Sequence, residues 1–444
     1  MSILTQEQTK RIADRVLSLS KADECIVGVE GNRIGNIRFA RNAVSTAGLA
    51  DDTRVQVQVA FGKRQGTATI NEFDDKSLER AVRRAEDLAR LAPENPEFMP
   101  AIAKTGYKGS ETFVPATSAI DPEYRAQAAA YAMEACRKKG LVAAGFFTDR
   151  SSFETVANSN GVFGHQTATS LDFTCTVRTE DGRGSGWVKR SARDVAKFDP
   201  REAAEVAIEK ALRSVEAKAL EPGRYTVIME PAATSDLIGF MLNGFSARSA
   251  DEGRSFLSKQ GVANRLGDKL FDQQVNIWSD PWDKDVPVLP WDNDMLPRER
   301  MHLVKDGRIN ALNYSQFWAK KKGQRAVGSA GNIIMAGTDK STAELIANTK
   351  KGILVTRTWY IRMVDPQSVL LTGLTRDGTF YVENGKIKHP VKNFRFNESP
   401  VTMPNNIEEI GKPVVIGGDE ANYSMLIPAM KIRDFNFTSL SDAV

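Results

Sequence analysis

The sequence predicts an α+β fold: an N-terminal domain of two helix–four-strand–helix repeats with antiparallel sheets, then a β-rich C-terminal domain. Three observations predict it. Alternating apolar and polar runs are joined by short turn sequences rather than by crossover helices. The same order of elements occurs twice in the first half. Beyond residue 219, strand-like runs outnumber helical ones. A chain of 444 residues is also too long for one ordinary core. The boundaries read as 1–218 and 219–444.

The first copy covers about residues 1–91. A helix at 6–19 turns Ile12, Val16 and Leu19 inward, with Ile3 just ahead of it. Strand 25–30, a Gly31-Asn32 turn and strand 34–40 follow. Val55, Val57 and Val59 alternate in strand 54–61, as a half-buried strand requires. A turn at 62–66 leads to strand 67–70. Asp74 and Asp75 then set acidic side chains at the start of helix 76–91.

The second copy covers about 122–216. Pro122 stands just inside a helix at 124–139, and Gly140 ends it. Strands are expected at 142–148, 153–157, 162–178 and 186–191. Asp199 and Pro200 open helix 202–215. Asn42-Ala43-Val44 corresponds to Asn160-Gly161-Val162, and the hairpin FGKRQG to TEDGRGSG. Between the copies, residues 92–121 carry Pro93, Pro96, Pro100 and Pro115 and read as an extended surface connector.

In the second half, strand 225–229 meets Glu230-Pro231, and Pro231 suits the first turn of a helix. Leu237, Phe240, Met241 and Gly244 continue at helical spacing. Strand 274–278 precedes a Pro/Asp/Trp segment at 279–297. Asp306-Gly307 joins strands 299–305 and 308–313, and Glu383-Asn384-Gly385 is a second hairpin turn. A short helix is expected at 342–350. Strands are expected at 352–360, 369–373, 379–382 and 386–388, a helical turn at 406–410 and a closing strand at 426–437.

Composition narrows the function. The hydrophobic fraction of 41% and charged fraction of 26% are those of a soluble globular protein. Sixty basic and 56 acidic residues leave a net charge of +4, which argues against a dedicated nucleic-acid binder. The basic WAKKKGQR stretch, with Lys320, Lys321, Lys322 and Arg325, reads as a solvated helix end. No apolar run approaches the roughly 20 residues of a membrane span, and no signal-peptide pattern opens the chain. Three scattered cysteines, Cys25, Cys136 and Cys175, without C-x-x-C spacing, suit reduced thiols and a cytoplasmic location. Cys175 lies on one face with Leu171, Phe173 and Val177, a buried strand face.

No motif supplies evident chemistry. The three histidines, His165, His302 and His389, form no H-x₃₋₅-H pair. Asp280, Asp283, Asp285, Asp292 and Asp294 crowd one loop without the EF-hand pattern, and read as turn formers. The glycines from Gly182 to Gly186 lack a following helix and a Walker lysine, and no G-x-S-x-G is present. Three of the six tryptophans, Trp278, Trp282 and Trp291, fall in one Pro-rich stretch. They are read as a satellite cluster beneath the loop or as candidate peptide or partner contacts.

The stretch 226–253, TVIMEPAATSDLIGFMLNGFSARSADEG, resembles the TldD/PmbA family, historically called modulators of DNA gyrase. So do KDGRINALNYSQFWAKKKG, GILVTRTWYIRMVD and LLTGLTRDGTFYVENGKIKHPVKNFRFNESP further on. In the TldD branch the strand-then-helix unit carries an HExxxH motif that holds a metal. Laid on this chain, the pattern meets Gly239, Phe240 and Gly244, none of which can coordinate a cation or move a proton. The resemblance is therefore to the metal-less PmbA, or TldE, branch. It implies a subunit of a metalloprotease complex acting on unfolded or extended peptides, with no catalytic, metal or cofactor-binding residues of its own. The metal is then expected only in a TldD-like HExxxH partner, with this chain binding substrate and completing a chamber, or forming a homodimer when alone. Sequence reading puts the partner's face on the C-terminal half. A stand-alone hydrolase with an unrecognised site and a non-proteolytic regulator of the gyrase-modulator type remain as alternatives.

Overall fold

Helix α1 (Gln6–Leu19) opens the computed structural model, which describes residues 3–417 and 424–441. Three strands follow, β1 (Glu24–Ala40), β2 (Ala43–Phe61) and β3 (Arg64–Ile70), and then helix α2 (Asp75–Leu91). After a one-turn helix α3 (Pro115–Ser118) the pattern recurs: α4 (Pro122–Lys138), β4 (Leu141–Asn158), β5 (Phe163–Thr179), β6 (Ser185–Ala192) and α5 (Pro200–Arg213). The six strands form one antiparallel sheet in the order β3-β2-β1-β4-β5-β6, so the two copies meet where β1 pairs β4. All four long helices cover one face. Cys25, Val27 and Val29 of β1 point to that face, as do Phe173, Cys175 and Val177 of β5.

The repeat is real and its unit is helix–three strands–helix. The expected Gly31-Asn32 turn does not exist: β1 passes straight through it, pairing Gly31 with Thr53 and Phe153. Gly31 serves close approach instead, because a Cβ there would sit 2.4 Å from the Phe153 ring. Residues 142–148 and 153–157 are likewise one strand, β4. Its polar middle survives burial because Asp149 accepts from Arg125 at 2.7 Å and Ser151 donates to Ser118 at 2.9 Å. The copies also match in detail. Gly66 of β3 lies under Ala85 and Ala89 of α2, as Gly186 of β6 lies under Ala207 and Ala211 of α5. Asp74, Asp121 and Asp199 cap their helices through side-chain oxygens.

The connector between the copies departs from expectation. It keeps to the surface only in part: residues 95–102 cross the sheet face that the helices leave bare, Thr112 bonds along the edge of β5 through Thr167 and Thr169, and Thr117, Ser118 and Ile120 reach the helix-covered face.

The C-terminal half begins with β7 (Gly223–Met229) and helix α6 (Pro231–Leu242). A short helix α7 (Ala247–Asp251) and small strands β8 (Ser258–Lys259) and β9 (Val262–Asn264) follow. Next come β10 (Ile277–Ser279), β11 (Met301–Lys305), β12 (Arg308–Ile309), α8 (Gln316–Lys322), β13 (Asn332–Met335) and α9 (Thr342–Ala347). The chain ends with β14 (Lys351–Asp365), β15 (Leu370–Glu383), β16 (Lys386–Pro390), β17 (Phe394–Glu398), β18 (Ile407–Gly417) and β19 (Ser424–Leu440). Among the described residues, β19, β17, β15, β14 and β7 pair in a closed ring, with β7 parallel to β14 and antiparallel to β19. Phe394, Phe396, Phe435 and Phe437 fill the core of this half together with α6.

Several boundaries shift for local reasons. Residues 369–373 and 379–382 belong to the single strand β15, interrupted by a bulge at Asp377 (φ 54°) and Gly378 (φ 122°). The helical turn expected at 406–410 is a 3₁₀ turn over Met403–Asn406, and from Ile407 the chain is strand β18. The two hairpin turns form as read. Asp306 and Gly307 take φ of 50° and 74°, Asn384 and Gly385 51° and 72°.

Candidate functional site

The bare face of the six-stranded sheet is polar. Glu24, Glu30, Asn32, Gln56, Gln58, Arg150, Ser152, Glu154, Gln166 and Asp172 alternate with the residues that pack on the helices. Against this face stand the loop 285–298 and residues 315–317 of the C-terminal half, and residues 95–102 of the connector. Together they enclose a two-lobed cleft, with lobes of about 790 and 820 Å³. Glu30 and Glu154 line both lobes.

Trp291 stands behind Glu154, a residue common to both lobes. Its ring is 2% exposed and packs against Tyr107 with centroids 4.9 Å apart. Its Nε1 donates to Glu154 Oε1 at 2.9 Å, and Tyr107 donates to the Met295 carbonyl at 2.6 Å. Gly164 makes room for both rings, since a Cβ there would lie 2.7 Å from Tyr107 and 2.9 Å from Trp291. Trp282 clips the connector in the same way, donating Nε1 to the Lys108 carbonyl while Lys108 Nζ sits 4.3 Å from its ring centroid. Trp278 stands apart on β10, beside His302 and under Arg300. So the structure joins Trp282 and Trp291 to the connector and leaves Trp278 on a different contact.

The crowded aspartates do not converge. Asp283 accepts from the Asp285 and Val286 amides, and Asp292 from those of Asp294, Leu296 and Ser329. Asp285 pairs with Lys197 at 3.0 Å. They form turns, as their spacing suggested, although Asp292 is buried rather than solvated. Arg298 lies behind them, donating to the Leu289 and Ser329 carbonyls, and burial lowers its pKa. His165 faces α1, its Nδ1 3.2 Å from the Thr9 hydroxyl there and 2.7 Å from the Thr155 hydroxyl of β4, and His389 stacks on Tyr381. All three cysteines are buried thiols, and burial raises Cys25 to about 11 and Cys136 to about 12.

The helix of the HExxxH positions is enclosed on almost every side. From Ala233 to Gly239 each residue of α6 is buried, as are Met241 and Leu242, so it is a core helix. Gly239 is buried, Phe240 packs at the edge of the core, and Gly244 lies two residues beyond the helix end rather than within it. A Cβ on Gly244 would meet the Phe256 ring at 2.6 and 2.8 Å. Among the described residues no three His, Cys, Asp or Glu side chains are grouped to hold a metal ion. Gly239, Phe240 and Gly244, which stand at the HExxxH positions, offer no donor that fits the metal of a metallopeptidase.

Glu154, like Asp294, is a carboxyl of the cleft whose pKa burial raises. Burial raises its pKa first, the Trp291 hydrogen bond opposes this, and Glu30 adds to the rise. A raised folded-state pKa gives stability that is full below the ordinary glutamate pKa and lost as pH climbs through the folded value. Glu154→Gln keeps an acceptor for Trp291 and removes that loss. Its melting temperature relative to wild type is expected to rise between pH 4 and pH 7 in thermal melts. A gap that narrows over that window contradicts the assignment.

The sequence hid this cleft for a definable reason. Its polar residues alternate along strands in the manner of a solvent-facing sheet surface. Only the connector and the loop 285–298 make that face an interior wall, and neither has periodicity to announce it.

A bare polar sheet face closed by a barrel-bearing second half defines a two-part protein with a cleft between the parts. Comparison gives this architecture its place. The profile described as PmbA/TldA metallopeptidase domain 1 matches residues 25–89, the central domain 71–215 and the C-terminal domain 222–439. The chain belongs to the PmbA/TldD metallopeptidase family. It is 22% identical to the metalloprotease PmbA of Escherichia coli O157:H7, over 97% of this chain and 98% of that protein. Its fold matches TldE from Thermococcus kodakarensis with a TM-score of 0.87 at 15% identity, covering 97% and 99% of the two chains. It also matches a putative modulator of a DNA gyrase from Thermotoga maritima, with a TM-score of 0.85 at 18% identity over 97% and 100%. Among the described residues no helix is long and apolar enough to cross a membrane.

Proposed function

We propose that this chain is the PmbA/TldE-like, metal-free subunit of a metalloprotease assembly. It binds unfolded or extended peptide in the two-lobed cleft, while a TldD-like HExxxH partner supplies the metal and the hydrolysis. The observation that carries this reading is the state of the helix α6. Its family metal positions hold Gly239, Phe240 and Gly244, and the last is roofed by the Phe256 ring, yet the cleft around Glu154 is intact. A peptide bond resists hydrolysis without a Lewis acid, an activated nucleophile or a paired base, and no such set was found at the cleft. What the cleft supplies is a wall of hydrogen-bonding side chains along four antiparallel strands, suited to an extended backbone.

The test is a peptidase assay on an unfolded protein substrate with three samples: this chain, an HExxxH relative from the same organism, and the mixture. Cleavage by the mixture alone is expected. Equal cleavage by the relative with and without this chain removes the subunit role. Cleavage by this chain alone that survives a chelator reveals an active site of another kind.

A further inference from the structure

Three arginines line the 820 Å³ lobe of the cleft: Arg150 on β4, Arg193 just past β6 and Arg298 at the end of the loop 285–298. None has a carboxylate within ion-pair distance among the described residues. Arg298 donates Nε to the Ser329 carbonyl at 2.8 Å and Nη1 to the Leu289 carbonyl at 2.9 Å, and its Nη2 takes no partner. Gly331 keeps that guanidinium in place, since a Cβ there would stand 2.9 Å from Arg298 Nε. Arg193 donates Nη2 to the Lys284 carbonyl at 3.3 Å, while its Nε is buried with no hydrogen-bond partner among the described residues. The two guanidiniums thus grip both ends of segment 284–289, but only through neutral carbonyls.

A guanidinium keeps its proton inside a protein, so these half-buried charges call for an anion. The carboxylates of the same lobe are engaged elsewhere. Glu30 pairs with Arg54 at 2.6 Å and Asp285 with Lys197 at 3.0 Å. Asp172 accepts from the Ser191 hydroxyl at 2.5 Å, and Glu154 from Trp291 at 2.9 Å. The 790 Å³ lobe has the opposite character. Glu24, Asp292 and Asp294 line it, and its arginine, Arg248, is bound to Glu97 by two hydrogen bonds of 2.7 Å. An anion is repelled from that lobe and drawn to the other.

We propose that the 820 Å³ lobe is a carboxylate subsite, in which Arg193 and Arg298 receive an anionic group of the bound peptide, its terminal carboxylate or an acidic side chain. This rests on the peptide-binding role given above and deepens it. The lobe has room for several residues rather than one small ion, and Asn32, Ser152 and Gln166 on its floor offer hydrogen bonds to a peptide backbone. With a terminal carboxylate held there, the rest of the peptide extends towards the acidic lobe.

The experiment is fluorescence anisotropy of the full chain with unstructured decapeptides of Ala, Ser and Thr, labelled at the amino end. One is a free acid, one a terminal amide and one the amide with a central Glu. The acid is expected to bind about tenfold more tightly than the amide, as charge-assisted hydrogen bonds to a carboxylate imply. Arg193→Gln should remove most of that preference. It is the better variant, because Arg298→Gln would also release the Leu289 and Ser329 carbonyls. Tight binding of the amide with Glu shows that side-chain carboxylates enter, and weak binding that the subsite takes the terminal one alone. N-acetyl-Ala-Ala, too short to span the cleft, probes the subsite by itself. It should raise the melting temperature of wild type and not that of Arg193→Gln. Such stabilisation without decapeptide binding keeps the subsite and removes the peptide reading. Decapeptides bound equally as acid and amide keep the peptide reading and overturn the subsite. A preference that Arg193→Gln leaves intact also overturns it. So does the absence of both binding and stabilisation, or stabilisation by inorganic phosphate but not by N-acetyl-Ala-Ala.

Discussion

Installing the family's metal motif here, as Gly239→His with Phe240→Glu and Gly244→His, is expected to destabilise the protein by at least about 4 kcal/mol without creating a metal site. The largest local fault is at Gly244. Its new Cβ would stand 2.6 Å from the Phe256 ring, which is itself held edge-on to Phe245 with centroids 6.0 Å apart. Overpacking of this kind costs about 1–3 kcal/mol by itself. Phe240→Glu then removes apolar contact with the core and sets a carboxylate at its margin. Gly239→His forces an imidazole into a buried position. The geometry is also wrong for coordination, since residue 244 follows the end of the helix and no further His, Cys, Asp or Glu group stands ready to complete a site among the described residues. Urea denaturation should show the lowered midpoint, and zinc should not raise it. A metal that binds only the folded state must stabilise it, so a zinc-dependent rise in melting temperature refutes this account.

Arg357→Met is expected to cost about 3–5 kcal/mol, the usual penalty for leaving a buried charge without its partner. Asp377, in the β15 bulge, has a side chain with no exposed surface. It accepts from Arg357 Nε at 2.9 Å and from Arg357 Nη2 through the same oxygen, while Ser185 of β6 donates to the other oxygen. Arg357 also lies over the Trp187 ring, 4.6 Å from its centroid. The group thus fastens the last strand of the six-stranded sheet to the barrel. Adding Asp377→Asn to Arg357→Met removes the stranded charge and should recover a substantial part of the loss. A double variant as unstable as the sum of the single ones would mean that the charge pair does not act as a unit.

Features with local causes were legible in the sequence. Asp74, Pro122 and Asp199 announced three helix starts, and Asp306-Gly307 and Asn384-Gly385 announced two hairpins, because a cap or a left-handed turn is decided within a few residues. The apolar character of α6 and the buried face around Cys175 were legible through periodicity. The reading failed where a residue answers to a distant one. Gly31 looks like a turn until the Phe153 ring is placed over it, and Asp149 looks like a strand end until Arg125 reaches it. The cleft failed for the same reason on a larger scale. Glu154 acquires its raised pKa from burial, against the opposing hydrogen bond of Trp291, which comes from the loop 285–298 about 140 residues further along the chain.

The closed ring of strands has a temporal consequence. β7 is among the first parts of the C-terminal half to leave the ribosome, but one of its two neighbours, β19, is the last strand of the chain. At roughly 5–20 residues per second, the ~200 residues between them take about 10–40 seconds to synthesise. During that interval α6 has neither β18 nor β19 to cover it, and the nascent chain presents Leu237, Ile238 and Met241 to solvent or to whatever shields them. The N-terminal sheet, complete by residue 213, can fold while this is happening. The arrival of β19 is therefore the event that closes the second core, and a chain stalled before it is left with a folded first half and an adhesive second one.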